Sequence, residues 1–157
     1  MTMSNELQEF LVRDMVSADL QDVLQVEQTA HISPWARLSF EESLTKGNIC
    51  RVIVSTKGIC AYHVISQIMD ELHVLNIACA PRVQGFGLGH RLMQDIIEIA
   101  QARELSKVFL EVRASNAIAQ SLYHKWGFEK ISIRKQYYRA SQEAGKREDA
   151  WVYLRHL

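Results

Sequence analysis

The chain has 157 residues, of which 48% are apolar, enough for one globular domain with one core. Its 18 basic and 18 acidic residues give a formal net charge of zero. This balance excludes the basic excess that is typical of nucleic-acid-binding proteins. We therefore expect a single domain over residues 1–157 and no direct nucleic acid binding.

Hydrophobic periodicity and turn signals predict an alternation of strands and helices along the chain. Apolar segments rich in β-branched or alternating residues predict seven strands, at residues 9–14, 49–55, 59–68, 71–79, 107–112, 128–134 and 150–154. Helical spacing of apolar residues predicts four helices, one capped by Ser17 and the others at about residues 40–44, 88–103 and 116–126. The polar residues 138–149 predict a mobile loop.

This order of elements indicates an α/β fold. Antiparallel strands come first, and a strand–helix–strand–helix unit follows, which should be parallel and right-handed. We expect one mixed, mostly antiparallel sheet of about seven strands, flanked by about four helices.

The sequence contains no pattern typical of a leader, a membrane span or a metal site. The N-terminus carries acids early and no long apolar run, and no stretch reaches the ~18 apolar residues that a membrane helix needs. The three cysteines and six histidines show neither C-x-x-C nor H-E-x-x-H spacing. We expect a cytoplasmic protein with reduced thiols, no membrane association and no bound metal.

A glycine cluster follows the predicted strand at residues 71–79. Gly85, Gly87 and Gly89 open the next helix, where backbone amides can converge on a phosphate. The segment lacks the G-K-[ST] of a Walker loop, and its G-x-G-x-G spacing differs from the G-x-G-x-x-G of a dinucleotide fold. On these residues alone, two interpretations stay open. The segment either binds the pyrophosphate of coenzyme A or forms a tight turn that binds no ligand.

Motifs spread along the chain carry a resemblance to a known family. In chain order they are Ser33-Pro34-Trp35, Leu75-Asn76-Ile77-Ala78, the Q-x-x-G-x-G run from Gln84 to Gly89, the L-E-V-R-A-S-N run from Leu110 to Asn116, Leu122-Tyr123, Gly127-Phe128, Arg134 with Tyr137-Tyr138, and Arg147 to Ala150. With these residues the chain resembles the GNAT acetyltransferase superfamily over residues 10–154. Within it the chain resembles the RimI family, bacterial enzymes that acetylate the N-terminal alanine of a small-subunit ribosomal protein.

The resemblance implies the GNAT fold and transfer of acetyl from acetyl-CoA to the α-amino group of a protein N-terminus, with a ribosomal protein as the acceptor. It assigns the general base to Glu111 and the acid for the departing thiolate to Tyr123. It assigns coenzyme binding to one strand, one loop and one helix start, namely Ile77, Ala78, Cys79, Gly85, Phe86, Gly87, Leu88, Gly89, His90 and Asn116. Asn116 can also be a plain helix N-cap. Cys79-Ala80 stands where the family often has Val-Asp.

Glu111 is the one charged residue between Val108 and Val112 of its strand. Alternation predicts that one face of this strand holds Val108, Leu110 and Val112. A glutamate on the other face is costly unless it meets water or a partner such as Arg113. Glu71, at the start of the preceding strand, is the alternative base.

The residues that could bind the acceptor each have two interpretations. Trp35, Tyr137 and Tyr138 can line an acceptor groove or belong to the core. Glu148 and Asp149 can attract a basic peptide or form a solvated acidic turn.

Two other functions stay open. One is a GNAT enzyme that acts on a small amine or a lysine side chain. The other is a non-catalytic acyl-CoA-binding module, which the presence of both Glu111 and Tyr123 disfavours.

Overall fold

A computed structural model describes residues 9–139 and 147–157 of the chain. Its strands are β1 Leu11–Asp14, β2 Ile49–Ser55, β3 Gly58–Ile68, β4 Glu71–Cys79, β5 Lys107–Arg113, β6 Glu129–Tyr138 and β7 Glu148–His156. Its α-helices are α1 Leu20–Ala30, α2 Arg37–Thr45, α3 Leu88–Ala102 and α4 Ala117–Lys125. Short 3₁₀ turns lie at Ser17–Asp19 and Pro81–Val83. The predicted order of strands and helices is confirmed.

The seven strands of the described residues form one mixed sheet in the order β1-β2-β3-β4-β5-β7-β6. The pairs β1/β2, β2/β3, β5/β7 and β6/β7 are antiparallel. The pair β4/β5 is parallel, and its ladder joins Glu71–His73 to Lys107–Phe109. The expected mixed, mostly antiparallel sheet is confirmed, as is the parallel arrangement of the strand–helix–strand unit.

The described residues group into two compact units. The first contains the described residues up to Ile65 together with Asn76–Leu92, and the second contains Ser66–Leu75 and the described residues from Met93 onward. A single domain over residues 1–157 stays a prediction.

The first unit has a core between its helices and strands β2 and β3. Leu20 and Val23 on α1 are fully buried and lie three positions apart, on one face of the helix. The Phe40 ring of α2 lies 5.1 Å from the Trp35 ring and 5.6 Å from the Tyr62 ring. Aromatic packing therefore fixes the Ser33-Pro34-Trp35 segment beside β3.

In the second unit, β5 alternates between buried and half-buried residues. Val108, Leu110 and Val112 are 0 to 4% exposed, so the predicted apolar face is confirmed. The strand therefore presents Phe109 and Glu111 on its other face.

The start of α1 differs from the prediction. Ser17 does not cap the helix but lies in the 3₁₀ turn before it. The Asp19 carboxylate accepts hydrogen bonds from the Val16 N–H at 2.8 Å and from the Arg13 guanidinium at 2.8 Å. A carboxylate that is also paired with an arginine is a stronger acceptor than a hydroxyl, so Asp19 organises this turn.

The last two strands are longer than predicted. β6 runs to Tyr138 and β7 begins at Glu148, which places Tyr138, Glu148 and Asp149 in the sheet rather than in the predicted loop. Residues 140–146 of that loop lie outside the described residues. In the described part of the chain, no helix has both the length and the apolar character needed to cross a membrane.

Candidate active site

The glycine cluster forms the turn that leads into α3. Gly85 and Gly87 adopt φ values of +89° and +76°, which glycine tolerates and other residues rarely do. A Cβ built on either glycine meets no atom within 4 Å, so the turn is open on that side. The turn leads directly into the N-terminus of α3, which begins at Leu88 and carries the positive end of the helix dipole.

This turn therefore fits an anionic group such as a pyrophosphate. The Phe86 amide is an exception within the predicted set, because it donates to the Val83 carbonyl at 3.3 Å. The Phe86 ring lies 6.2 Å from the Phe10 ring, so Phe86 holds the turn against the residue that precedes β1. His90 is exposed, as expected for a residue included for its backbone.

The predicted pantetheine segment is the end of β4. Ala78 is buried, and Ile77 and Cys79 are half-buried. Burial raises the pKa of the Cys79 thiol to about 11, and the neighbouring Cys60 adds to this effect. A neutral thiol suits the backbone role assigned to Cys79, since the thiolate is the reactive form of cysteine.

Asn116 is the N-cap of α4. Its Oδ1 accepts a hydrogen bond from the Ala119 N–H at 3.1 Å. This geometry is the plain N-cap that the sequence left open. The coenzyme contact of Asn116 stays a prediction.

Glu111 has a partner, but not the expected one. Its Oε1 accepts a hydrogen bond from Arg134 Nη1 on β6 at 2.7 Å. Arg113 pairs instead with Glu148, at 3.4 Å. Arg134 and Arg113 both register with Ala150 of β7, the strand between them.

The tyrosine pair is built into the same face of the sheet. Each tyrosine ring lies against an arginine, at 4.4 Å for Tyr137 and 4.5 Å for Tyr138. Each arginine also forms an ion pair with a glutamate. The face therefore carries two tyrosine–arginine–glutamate groups, Tyr137–Arg134–Glu111 and Tyr138–Arg113–Glu148. Burial raises the pKa of Tyr138 to about 12, and the Glu111 charge adds to this effect, so the Tyr138 hydroxyl stays protonated.

The acidic pair on β7 is not a solvated turn. Glu148 Oε1 accepts from the Ser115 N–H at 2.8 Å, and Asp149 Oδ1 accepts from the Gln136 N–H at 2.9 Å. Burial acts to raise the pKa of Glu148, but the hydrogen bonds from Ser115 and Arg113 outweigh it and lower that pKa. Both carboxylates therefore organise the protein's own backbone.

Tyr123 is buried on α4. Its ring lies 6.1 Å from Phe128 and 6.2 Å from Tyr153. Tyr153 registers with Leu110, so this cluster packs on the Leu110 face of β5. The structure thus places the two predicted catalytic side chains, Glu111 and Tyr123, on opposite faces of the sheet.

The alternative base, Glu71, shares a face with Glu111. Its Oε2 lies 3.2 Å from His73 Nε2, and the His73 ring stacks on Phe109 at 5.0 Å. The ladder pairs His73 with Phe109, so Glu71 and Glu111 lie at either end of this stacked pair. Within residues 9–139 and 147–157, no group of three or more metal-ligating side chains comes together.

The sequence interpretation missed Glu27, which is fully buried on α1. Its carboxylate accepts from Tyr62 Oη at 2.7 Å, from Asn76 Nδ2 at 2.7 Å and from the Trp35 N–H at 3.1 Å, and it also pairs with His31. Burial, followed by the Glu27 charge, raises the pKa of Tyr62 well above its usual range. The signal was available, because Glu27 stands seven residues after Leu20, on the apolar stripe of the helix.

These contacts explain two of the motifs. Asn76 belongs to the Leu75–Ala78 run, and Trp35 belongs to the Ser33–Trp35 segment. Glu27 joins both to one buried carboxylate. The motifs therefore hold the first unit together, whatever else they contact.

Comparison with known proteins identifies the family. Residues 18–128 match the model of the Acetyltransferase (GNAT) family. The [ribosomal protein bS18]-alanine N-acetyltransferase of Haemophilus ducreyi is 32% identical over 147 residues, which are 94% of this chain and 100% of that protein. The enzyme of the same name from Escherichia coli K12 is 32% identical over 141 residues, 90% of this chain and 93% of that protein.

Solved structures share the fold. The crystal structure of the ribosomal-protein-S18-alanine N-acetyltransferase from Escherichia coli has a TM-score of 0.86 at 30% identity, covering 94% of this chain and 93% of that one. A phosphinothricin acetyltransferase from Sinorhizobium meliloti, solved in complex with AcCoA, has a TM-score of 0.76 at 18% identity, covering 95% and 89%. GNAT acetyltransferases use acetyl-CoA. With a match over most of its length, this chain belongs to the GNAT family of N-acetyltransferases.

Proposed function

We propose that the protein transfers acetyl from acetyl-CoA to the α-amino group of a protein N-terminus, and that its acceptor is the N-terminal alanine of ribosomal protein bS18. The observation that carries this proposal is the similarity, along nearly the full length of both chains, to enzymes named for that reaction. The chain acts as one domain over residues 1–157.

Acetyl-CoA supplies an activated acetyl group as a thioester. The turn from Gly85 to His90 binds the pyrophosphate through backbone amides, and the open glycine cradle supports this role. Backbone groups of Ile77, Ala78 and Cys79 hold the pantetheine arm as a neighbouring strand would. Asn116 adds a contact near the start of α4. The reaction needs no metal.

Glu111 takes a proton from the acceptor amine, directly or through one water. The α-amino group is partly protonated near neutral pH, so a base beside it increases the reactive fraction. Tyr123 gives a proton to the departing sulfur.

The acceptor is tested by locating the acetyl group. A peptide that copies the N-terminus of bS18 and contains an internal lysine is incubated with the enzyme and acetyl-CoA, and fragment masses are measured. We expect acetyl on the α-nitrogen. Acetyl found only on lysine would overturn the acceptor assignment and favour a lysine acetyltransferase. Bound acetyl-CoA without transfer to any amine would favour an acyl-CoA-binding module.

A further inference from the structure

The contact between Glu111 and Arg134 is short but not buried. Nη1 and Oε1 are 2.7 Å apart, while the two side chains are 54% and 28% exposed, for arginine and glutamate respectively. An exposed ion pair of this kind adds little to stability. The ion pair therefore does more to orient the two side chains than to stabilise the fold.

Arg134 is held on a second side by the Tyr137 ring, 4.4 Å from the guanidinium carbon. The ring reaches this position because the β6/β7 register breaks between Arg134 and Tyr138. Within the break, Gln136 has φ +53°, a conformation that is uncommon outside glycine. The Asp149 carboxylate binds the Gln136 N–H at 2.9 Å and so stabilises it. The Asp149 hydrogen bond thus stabilises an unusual backbone conformation, and this conformation places the Tyr137 ring against Arg134.

The other arginine on this face is engaged elsewhere. Arg113 Nη1 donates to the Arg139 carbonyl at 3.0 Å and lies 3.4 Å from Glu148. Among the described residues, Arg134 alone hydrogen-bonds the Glu111 carboxylate, and it does so at Oε1. The second oxygen, Oε2, is thereby left for another proton donor.

We infer that Arg134, clamped by Tyr137, is a positioning residue that fixes Oε1 of Glu111 and leaves Oε2 to receive the proton of the acceptor amine. This inference rests on the proposed role of Glu111 as the base. In the step, an N–H bond of the amine breaks and an O–H bond forms at Oε2. Arg134 neither gains nor loses a proton, because its hydrogen bond to Glu111 raises the pKa of the guanidinium further.

A double-mutant cycle tests the inference. Arg134→Met, Glu111→Gln and the double variant are compared for kcat and for KM of peptide and acetyl-CoA. We expect Arg134→Met to lower kcat about 10- to 100-fold with the KM for acetyl-CoA nearly unchanged, and Arg134→Lys to restore part of the loss. In the Glu111→Gln background, Arg134→Met should have no further effect, since it acts through Glu111.

The matched control is Arg37→Met. Arg37 forms an ion pair with Glu41 at 2.9 Å, and its side chain is 51% exposed, close to the value for Arg134. We expect its kcat to equal that of the wild type. If Arg134→Met lowers kcat by the same factor with and without Glu111, the inference is overturned while the base assignment stands. If Glu111→Gln alone leaves kcat unchanged, both are overturned.

A readout that needs no activity separates the clamp from the reaction. Nuclear magnetic resonance of arginine side chains reports rotation of the guanidinium. We expect resolved, slowly exchanging Nη signals for Arg134, which merge in Glu111→Gln and in Tyr137→Ala. Free rotation in the wild type contradicts the clamp itself. A clamped Arg134 in a protein that acetylates no N-terminus contradicts the proposed function instead.

Discussion

Glu27 and Asn76 are 49 positions apart in the chain and are joined by a 2.7 Å hydrogen bond between buried side chains. The bond connects α1 to the strand that continues into Ile77, Ala78 and Cys79. The same carboxylate binds the Trp35 N–H. One buried charge therefore positions both the proposed pantetheine strand and the segment that follows α1.

Removing this carboxylate should destabilise the protein strongly. Glu27→Ala leaves the donors of Tyr62, Asn76 and Trp35 without their acceptor in a dry interior. We expect a loss of about 3–5 kcal/mol in the free energy of unfolding, the range for breaking a buried charged network. Urea denaturation measures it. The control is Gln28→Ala, an exposed neighbour on the same helix, which should change stability by less than about 0.5 kcal/mol.

Asp19 should make stability depend on pH. The hydrogen bond from Arg13 lowers the pKa of Asp19 in the folded protein. A folded-state pKa below the unfolded one stabilises the protein above the unfolded value, and this contribution is lost as pH falls through the folded value. We expect Asp19→Asn to be less stable than the wild type at neutral pH. The difference in the free energy of unfolding between the two proteins should narrow as pH falls below the usual pKa range of aspartate. A difference that widened there would contradict the lowered pKa of Asp19.

Gly87 should matter for coenzyme binding beyond its effect on stability. Gly87→Ala forces a side chain into φ +76°, and Gly47→Ala does the same at φ +78° in the turn after α2. We expect both variants to lose about 1–2 kcal/mol of stability. Only Gly87→Ala should weaken acetyl-CoA binding, by about 10-fold or more in a calorimetric titration. Equal affinities in the two variants would remove the turn from the proposed site.

Tyr123 should affect turnover and not binding. Tyr123→Phe removes only the hydroxyl of a buried ring, so we expect nearly normal acetyl-CoA affinity and a kcat lowered by about 10²- to 10⁴-fold. Tyr153→Phe is the matched control, since its ring lies 6.2 Å away in the same cluster. Turnover that survives Tyr123→Phe would exclude Tyr123 as the acid.

Local patterns in the sequence were enough to predict the elements and the faces on which several candidate residues lie. Alternation alone places Val108 and Leu110 on one face of β5 and Glu111 on the other, because a strand has a period of two. The glycines before α3 mark a turn, since Gly85 and Gly87 need positive φ.

What the sequence could not give depends on contacts between distant segments. Arg113 is the nearest cation to Glu111 in sequence and lies on its face, yet Arg134 is the partner. The choice is set by the register of β6 on β7 and by the competing carboxylate of Glu148. No local pattern encodes either. The hydrogen-bond partners of Glu27 are a similar case, because its three donors come from separate segments.

The central claim is that the acceptor is the α-amino group of a protein. The most direct measurement follows free thiol release from acetyl-CoA with a peptide that copies the N-terminus of bS18, beside the same peptide with a blocked α-amine. The account predicts release with the free amine only. Equal release with both peptides, or release with neither while acetyl-CoA still binds, would contradict it.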